Sequence, residues 1–216
     1  MSASLRRMLV IIALGFVFIP SAMSSEAPLA EPARLNVSQL KAHLPALRQG
    51  GFVIYFRHMS TNHEQEDRRP VDLNDCATQR PLSAKGREQA IALGKAVKQL
   101  GLPIGKLTNS PFCRCVDTAR LAFGRISPSD DLYFAMGLSR EGKQAKGRTL
   151  RAMFATPPAQ GTNTVIVAHT ANLQEAVGLW PKPEGVAYIF APQPGGKFTV
   201  IGMVNPETWV EAAQNK

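Results

Sequence analysis

The chain has 216 residues, 44% of them apolar and 19% charged, which is ordinary for a globular protein and enough for one domain with a sizeable core. Its formal net charge of +9 favours acidic partners such as phosphorylated metabolites, anionic lipids or nucleic acid. Nucleic acid is set aside, because no basic run exceeds two residues and no aromatic residues interleave with basic ones.

The first residues do not belong to the globule. Arg6 and Arg7 precede an apolar run from Met8 to Ile19, followed by Pro20 and small residues through Ser25. This is the pattern of a secretory signal peptide, with Ala22 and Ser24 suited to the −3 and −1 positions and cleavage expected after Ser24. The run is short of the ~20 residues a spanning helix needs, so no permanent membrane anchor is expected after cleavage. The expected location is periplasmic or secreted. The mature chain keeps a charge of +7 over 192 residues.

Residues 25–36, rich in Ala, Pro and Glu, read as a linker, and residues 37–216 as a single domain. A helical pattern runs from Ser38 through Leu40, Leu44 and Leu47 to Gly50-Gly51, strained by Pro45. Residues 52–57 read as a strand whose continuous apolar character suits burial on both faces. Residues 59–81 are polar and without periodicity, a long loop of the kind that often carries function. Ser83 can cap a helix that ends at Gly101. A short strand near 106–109 leads to Ser110-Pro111, which marks a helix start, and that helix carries Arg114 and Thr118. After an irregular stretch, a helix is expected over 141–155, a strand over 164–168, a helix from Asn172, and a hairpin over 186–204 turning at 194–196. The order of elements predicts an α/β fold: a mainly parallel central sheet flanked by helices, with a C-terminal hairpin.

Two of these strands end alike. Val53 to Phe56 delivers Arg57 and His58, and Val165 to Ala168 delivers His169. In open parallel sheets ligands bind beyond the carboxyl ends of the strands. The helix starting near Ser110 adds free N–H groups and Arg114. Arg57, His58, Arg114 and His169 can therefore converge on one anion. Each residue alone reads more simply as surface charge or a satisfied polar group.

Four segments in order carry a resemblance. Arg57-His58-x-x-Thr61, Arg80-Pro-Leu-Ser83-x-x-Gly86-x-x-Gln89-Ala90, Ser110-Pro-x-x-Arg114-x-x-x-Thr118-Ala119 and His169 after an apolar strand resemble the histidine phosphatase superfamily, with its phosphoglycerate mutase-like fold. The resemblance spans about residues 51–204. Two positions depart from the family pattern: Met59 stands where a glycine is usual, with the expectation that it crowds the pocket or changes its shape, and Ala168 and Thr170 replace glycine neighbours of His169.

What the resemblance implies is a metal-independent phosphatase with no cofactor, and the signal-like segment adds the expectation of export. It would act on a small phosphorylated substrate or an envelope phospho-group. His58 would attack phosphorus and form a phosphohistidine, while Arg57, Arg114 and His169 hold the non-bridging oxygens. A mutase would need longer capping insertions, and a protein-phosphohistidine phosphatase would need cytoplasmic substrates. The reading from another class is a non-catalytic module that binds phosphoryl groups of envelope glycolipids. For the acid that protonates the leaving alcohol, Glu184 is the first candidate and Glu141 the second; Asp130 and Asp131 read as loop solubilisers. If the 59–81 loop covers a pocket at His58 and Arg114, Cys76 and Cys113 come close. Export allows a Cys76–Cys113 disulfide, expected in preference to Cys76–Cys115 because residues two apart on a helix point roughly 200° apart. Cys115 would remain a buried thiol.

Overall fold

The structure, a computed structural model, describes residues 27–214. The expected signal peptide, residues 1–24, lies outside the described residues. The apolar run forms β1 (Val53–Arg57) at the middle of a five-stranded sheet. The sheet order is β2 (Ile104–Asn109), β3 (Asn163–Ala168), β1, β4 (Ala187–Gln193) and β5 (Lys197–Val204). β1 pairs parallel with β3 and antiparallel with β4, and β4 with β5 is the expected C-terminal hairpin.

Ile54 and Phe56 point into one core layer and Val53 and Tyr55 into the other. That double burial is why β1 shows no polar alternation. The first layer is closed by α1 (Val37–Gln49), α2 (Ala84–Gln99), α3 (Cys113–Phe123) and α6 (Pro206–Gln214), which bring Leu40, Leu93, Ala119 and Trp209. The second is closed by α4 (Arg140–Ala155) and α5 (Thr170–Val177), with Leu150, Phe154 and Leu173. Each large apolar side chain fully buried in these layers contributes about 1.5–3 kcal/mol.

Local chemistry sets the helix starts. Asn36 and Gln39 form a reciprocal capping box on α1, which runs through Pro45. Ser83 caps α2 by accepting from the Gly86 N–H at 3.0 Å. Gly86 is obligatory there, since a Cβ would lie 1.9 Å from the Ser60 carbonyl oxygen. α2 thereby presses directly on the turn that follows His58.

The structure differs from the sequence reading in four places. Helix α3 begins at Cys113, not at Ser110-Pro111, because the Ser110 hydroxyl is 2.7 Å from His169 Nε2 and its contact to the Phe112 N–H is only 3.4 Å. Helix α5 begins at Thr170, directly after His169, and Asn172 instead ties down the irregular stretch by donating to the Tyr133 carbonyl at 2.9 Å. Helix α6 was not anticipated, although Pro206 at its first position and Glu207 beside it are ordinary start signals. The stretch expected as linker is docked: Leu29 donates to Val177, Ala33 and Leu35 bond Met203 of β5, and Leu35 is buried. At the opposite margin, Arg125 donates to the carbonyls of Ile104 and Gly105 on β2, and residues 127–129 bond Asn109. Among the described residues no helix is long and apolar enough to cross a membrane.

Candidate active site

The parallel register matches Arg57 with Ala168, so the next residues on both strands are His58 and His169. Their rings lie 5.5 Å apart, centre to centre. Both are buried, at 2% and 1% exposure. The backbone of His58 is fixed on both sides, its N–H donating to Ala168 and its carbonyl accepting from Gly185.

The His58 ring has a defined tautomer. Nδ1 lies 2.9 Å from the Met59 carbonyl, which can only accept, so Nδ1 carries the proton and Nε2 the free lone pair. Burial, then the Arg114 charge, holds the His58 pKa well below the usual imidazole range. His169 is held low for the same two reasons, with His58 adding to them. His58 is thus a neutral imidazole with a free lone pair at Nε2. His169 shares a hydrogen bond with Ser110 and sits between Phe112 and Phe134, at ring distances of 5.1 and 4.7 Å. Its carbonyl accepts from the Tyr55 hydroxyl at 2.6 Å, whose pKa burial pushes up.

Arg114 is completely buried in the first turn of α3. It lies over the rings of Phe112 and Phe134, 4.7 and 5.3 Å from their centres. One of its nitrogens, Nη1, meets the Asp67 carboxylate at 2.9 and 3.1 Å. Its Nε and Nη2, together with Nε of Arg57 and Nε of Arg80, are buried without a hydrogen-bond partner among the described residues. Leaving a buried cationic donor unpaired costs more than the ~1–3 kcal/mol of a neutral group. Several such donors beside two neutral histidines suit a ligand with several anionic oxygens. Arg80 belongs to this group because its charge depresses both histidines and Arg57.

Arg57 is held by Glu184 at 3.0 Å and by the Pro181 carbonyl. Glu184 also accepts from the Thr61 hydroxyl and the Thr61 N–H, both at 2.9 Å. It stands among donors and orients Arg57. Glu141 is exposed in the first turn of α4, without a hydrogen bond or ion pair among the described residues. The structure does not bring it to the histidines.

The long loop is ordered by its own polar groups. Gln79 is fully buried, accepts from the Cys113 N–H at 2.9 Å and donates to Asp72. Asp67 accepts from the Arg80 N–H at 2.8 Å. A disulfide joins Cys76 to Cys113, with Cα atoms 5.7 Å apart, and Cys115 is the buried free thiol. Burial raises the Cys115 pKa to about 12.

Met59 corrects one expectation. It does not crowd the pocket: it is fully buried in the apolar layer with Phe56 and Leu82. Room for it comes from Gly185, at φ +82°, where a Cβ would lie 2.7 Å from the Met59 sulfur.

Sequence reasoning missed Asp67, the engagement of Ser110 with His169, and the part of Arg80. Arg80 stood in a segment already singled out, whereas Asp67 lies in a stretch with no period to flag it.

Residues 53–132 match the family model described as histidine phosphatase superfamily (branch 1). No curated protein sequence matches the chain. Among solved structures, the protein histidine phosphatase SixA complexed with tungstate superposes with a TM-score of 0.52 at 16% identity, covering 72% of this chain and 97% of that one. A phosphoserine phosphatase from Entamoeba histolytica, solved with phosphoserine, gives 0.54 at 14% identity, covering 73% and 98%. The alpha-ribazole phosphatase from Shigella flexneri gives 0.53 at 14%, covering 72% and 96%. At such identities the structural likeness speaks for the fold, while the matched segment contains the Arg57-His58 and Arg114 motifs. Over residues 53–132 the chain is similar to branch 1 of the histidine phosphatase superfamily, and it shares that superfamily's fold.

Proposed function

We propose that this protein is an exported phosphatase that hydrolyses phosphomonoesters of small molecules through a phosphohistidine on His58. The observation that carries the reading is the set of unpartnered, buried guanidinium nitrogens of Arg57, Arg80 and Arg114 around a neutral His58 whose Nδ1 proton is committed to Met59. Those donors suit the non-bridging oxygens, whose charge they stabilise as phosphorus is attacked. The lone pair on His58 Nε2 forms the N–P bond as the ester P–O bond breaks, and water then releases phosphate from the ring. His169, neutral and backed by Ser110, contributes a polar contact without adding charge. The positive charge comes from arginines, so no metal ion is required. Action after export, in the periplasm or outside the cell, is supported by the signal-like segment and by the Cys76–Cys113 bond, which an oxidising compartment maintains. The phosphoryl-binding module rested on a pocket crowded by Met59 and lacking an effective acid, and the place of Met59 in the core removes the first of these grounds.

The test is turnover of 4-nitrophenyl phosphate. His58→Ala should abolish it while the protein stays folded, and rapid quenching of the wild-type protein should trap acid-labile, base-stable phosphate on His58. Retention of more than a few per cent of the rate in the variant would remove His58 as nucleophile.

A further inference from the structure

We propose that Asp67 is the general acid of this site and that the leaving alcohol lies in the aromatic cleft beside it. The inference rests on the phosphatase reading above and deepens it. Asp67 lines a cleft of about 250 Å³ walled by Phe112, Tyr133 and Phe134 against Pro70 and Val71. Phe112 and Phe134 are also the two rings that flank Arg114, so the cleft and the guanidinium share walls. Arg114 is divided between two tasks. Its Nη1 edge meets Asp67, while Nη2 and Nε remain unpartnered and buried. Oxygens bound on adjacent nitrogens of one guanidinium lie within hydrogen-bond reach of each other. A phosphoryl group held by Nη2 and Nε therefore places its bridging oxygen between Asp67 and the cleft.

The two oxygens of Asp67 are not equivalent. Oδ1 accepts from both Arg114 Nη1 and the Arg80 N–H, at 2.9 and 2.8 Å. Oδ2 has only the 3.1 Å contact to Nη1 and is the freer atom for proton transfer. A carboxylate and a phosphoryl oxygen side by side share a proton rather than carry two adjacent negative charges. As His58 Nε2 forms its bond to phosphorus, the P–O bond breaks, its electron pair goes to the leaving oxygen, and that oxygen takes the proton from Oδ2. In the second half, Oδ2 takes a proton from the attacking water, the O–P bond forms, and the N–P pair returns to His58. The proton spent in the first step is restored in the second. Glu184 suits this work less, because it lines a different cleft, with Arg57, Ser60 and His63, and not the aromatic one. The walls of the cleft favour an alcohol with an apolar or planar portion.

The experiment compares Asp67→Asn with wild type on esters of differing leaving groups. With glycerol 2-phosphate, whose alkoxide needs a proton, kcat/KM, which reports only the first half, should fall about 10²–10⁴-fold. With 4-nitrophenyl phosphate, whose phenolate leaves unaided, the loss should stay below about tenfold. Inhibition by inorganic phosphate should change little, which reports a folded site with Arg114 in place. Equal losses on both esters, or lost phosphate inhibition, would make Asp67 a positioning residue for Arg114 and overturn the proposal. A wild-type protein that turns over neither ester would overturn the phosphatase reading itself. For the cleft, Val71→Asp should raise KM for 4-nitrophenyl phosphate without altering phosphate inhibition. An unchanged KM would remove the leaving group from the cleft.

Discussion

Replacing both Cys76 and Cys113 with serine should cost the fold about 4 kcal/mol. The bond closes a loop with a sequence separation of 37 residues. The chain-entropy relation for a loop of that length gives ~13 cal/mol/K, or about 4 kcal/mol at 25 °C. Against a typical total of about 5–15 kcal/mol, that is a large share. The native contacts nearby do not replace it: the Gln79 bond to the Cys113 N–H persists in the variant, but it is made only after the chain has folded. Guanidinium chloride unfolding, followed by circular dichroism, should show a lower midpoint for the double variant, and the same shift for wild type under reducing conditions. Because the loop carries Asp67 and Arg80, inhibition by inorganic phosphate should weaken along with stability. An unfolding midpoint unchanged by both the substitution and reductant would refute the reasoning, since the constraint on the unfolded chain is present whatever the site does.

Arg114→Ala should weaken inorganic phosphate binding by about 1.5–3 kcal/mol, the worth of a lost bond to a charged group, and an unchanged inhibition constant would place Arg114 outside the pocket. His58 and His169 have depressed pKa values in the fold, so the unfolded chain binds protons the native state refuses. The stability they contribute is present above the unfolded value of ~6.5 and is lost as pH falls below it, by about 1.4 kcal/mol per pH unit for each histidine. Unfolding at pH 7 and pH 5 checks this, and greater stability at pH 5 would contradict it. Glu184→Gln should lower both stability and turnover, because it removes the charge facing Arg57, at a cost of about 1–3 kcal/mol; an unaltered unfolding free energy would mean the contact with Arg57 and Thr61 contributes nothing.

The fold was legible where burial writes a period into the chain. Val53 to Phe56 and Val165 to Ala168 are buried on both faces, and their ends place His58 and His169 directly. The helix pattern over α2 was readable because Ala90, Leu93 and Val97 share one face. What stayed hidden was tertiary. Ser110 looks like a cap, but a histidine 59 positions away claims its hydroxyl. Met59 looked like a plug until Gly185, on a distant turn, opened room for it in the core. Asp67 meets Arg114 across 47 positions, through a loop held by a disulfide and Gln79. Glu184 was singled out from its place before a glycine, and only its three bonds to Arg57 and Thr61 show that it is an anchor for the cation.

The docking of residues 33–35 on β5 and of Arg125 and residues 127–129 on β2 has a bearing on behaviour outside the site. An open sheet ends in rows of backbone donors and acceptors that invite a strand from another molecule. Here Met203 of β5 is already engaged by the chain's own N-terminal segment, and Ile104, Gly105 and Asn109 of β2 by a guanidinium and a short return of the chain. Removing residues 27–36 would expose Met203 and its neighbours as a template. Truncation at residue 37 should therefore show up first as aggregation on concentration, before any loss of the pocket at the far ends of β1 and β3.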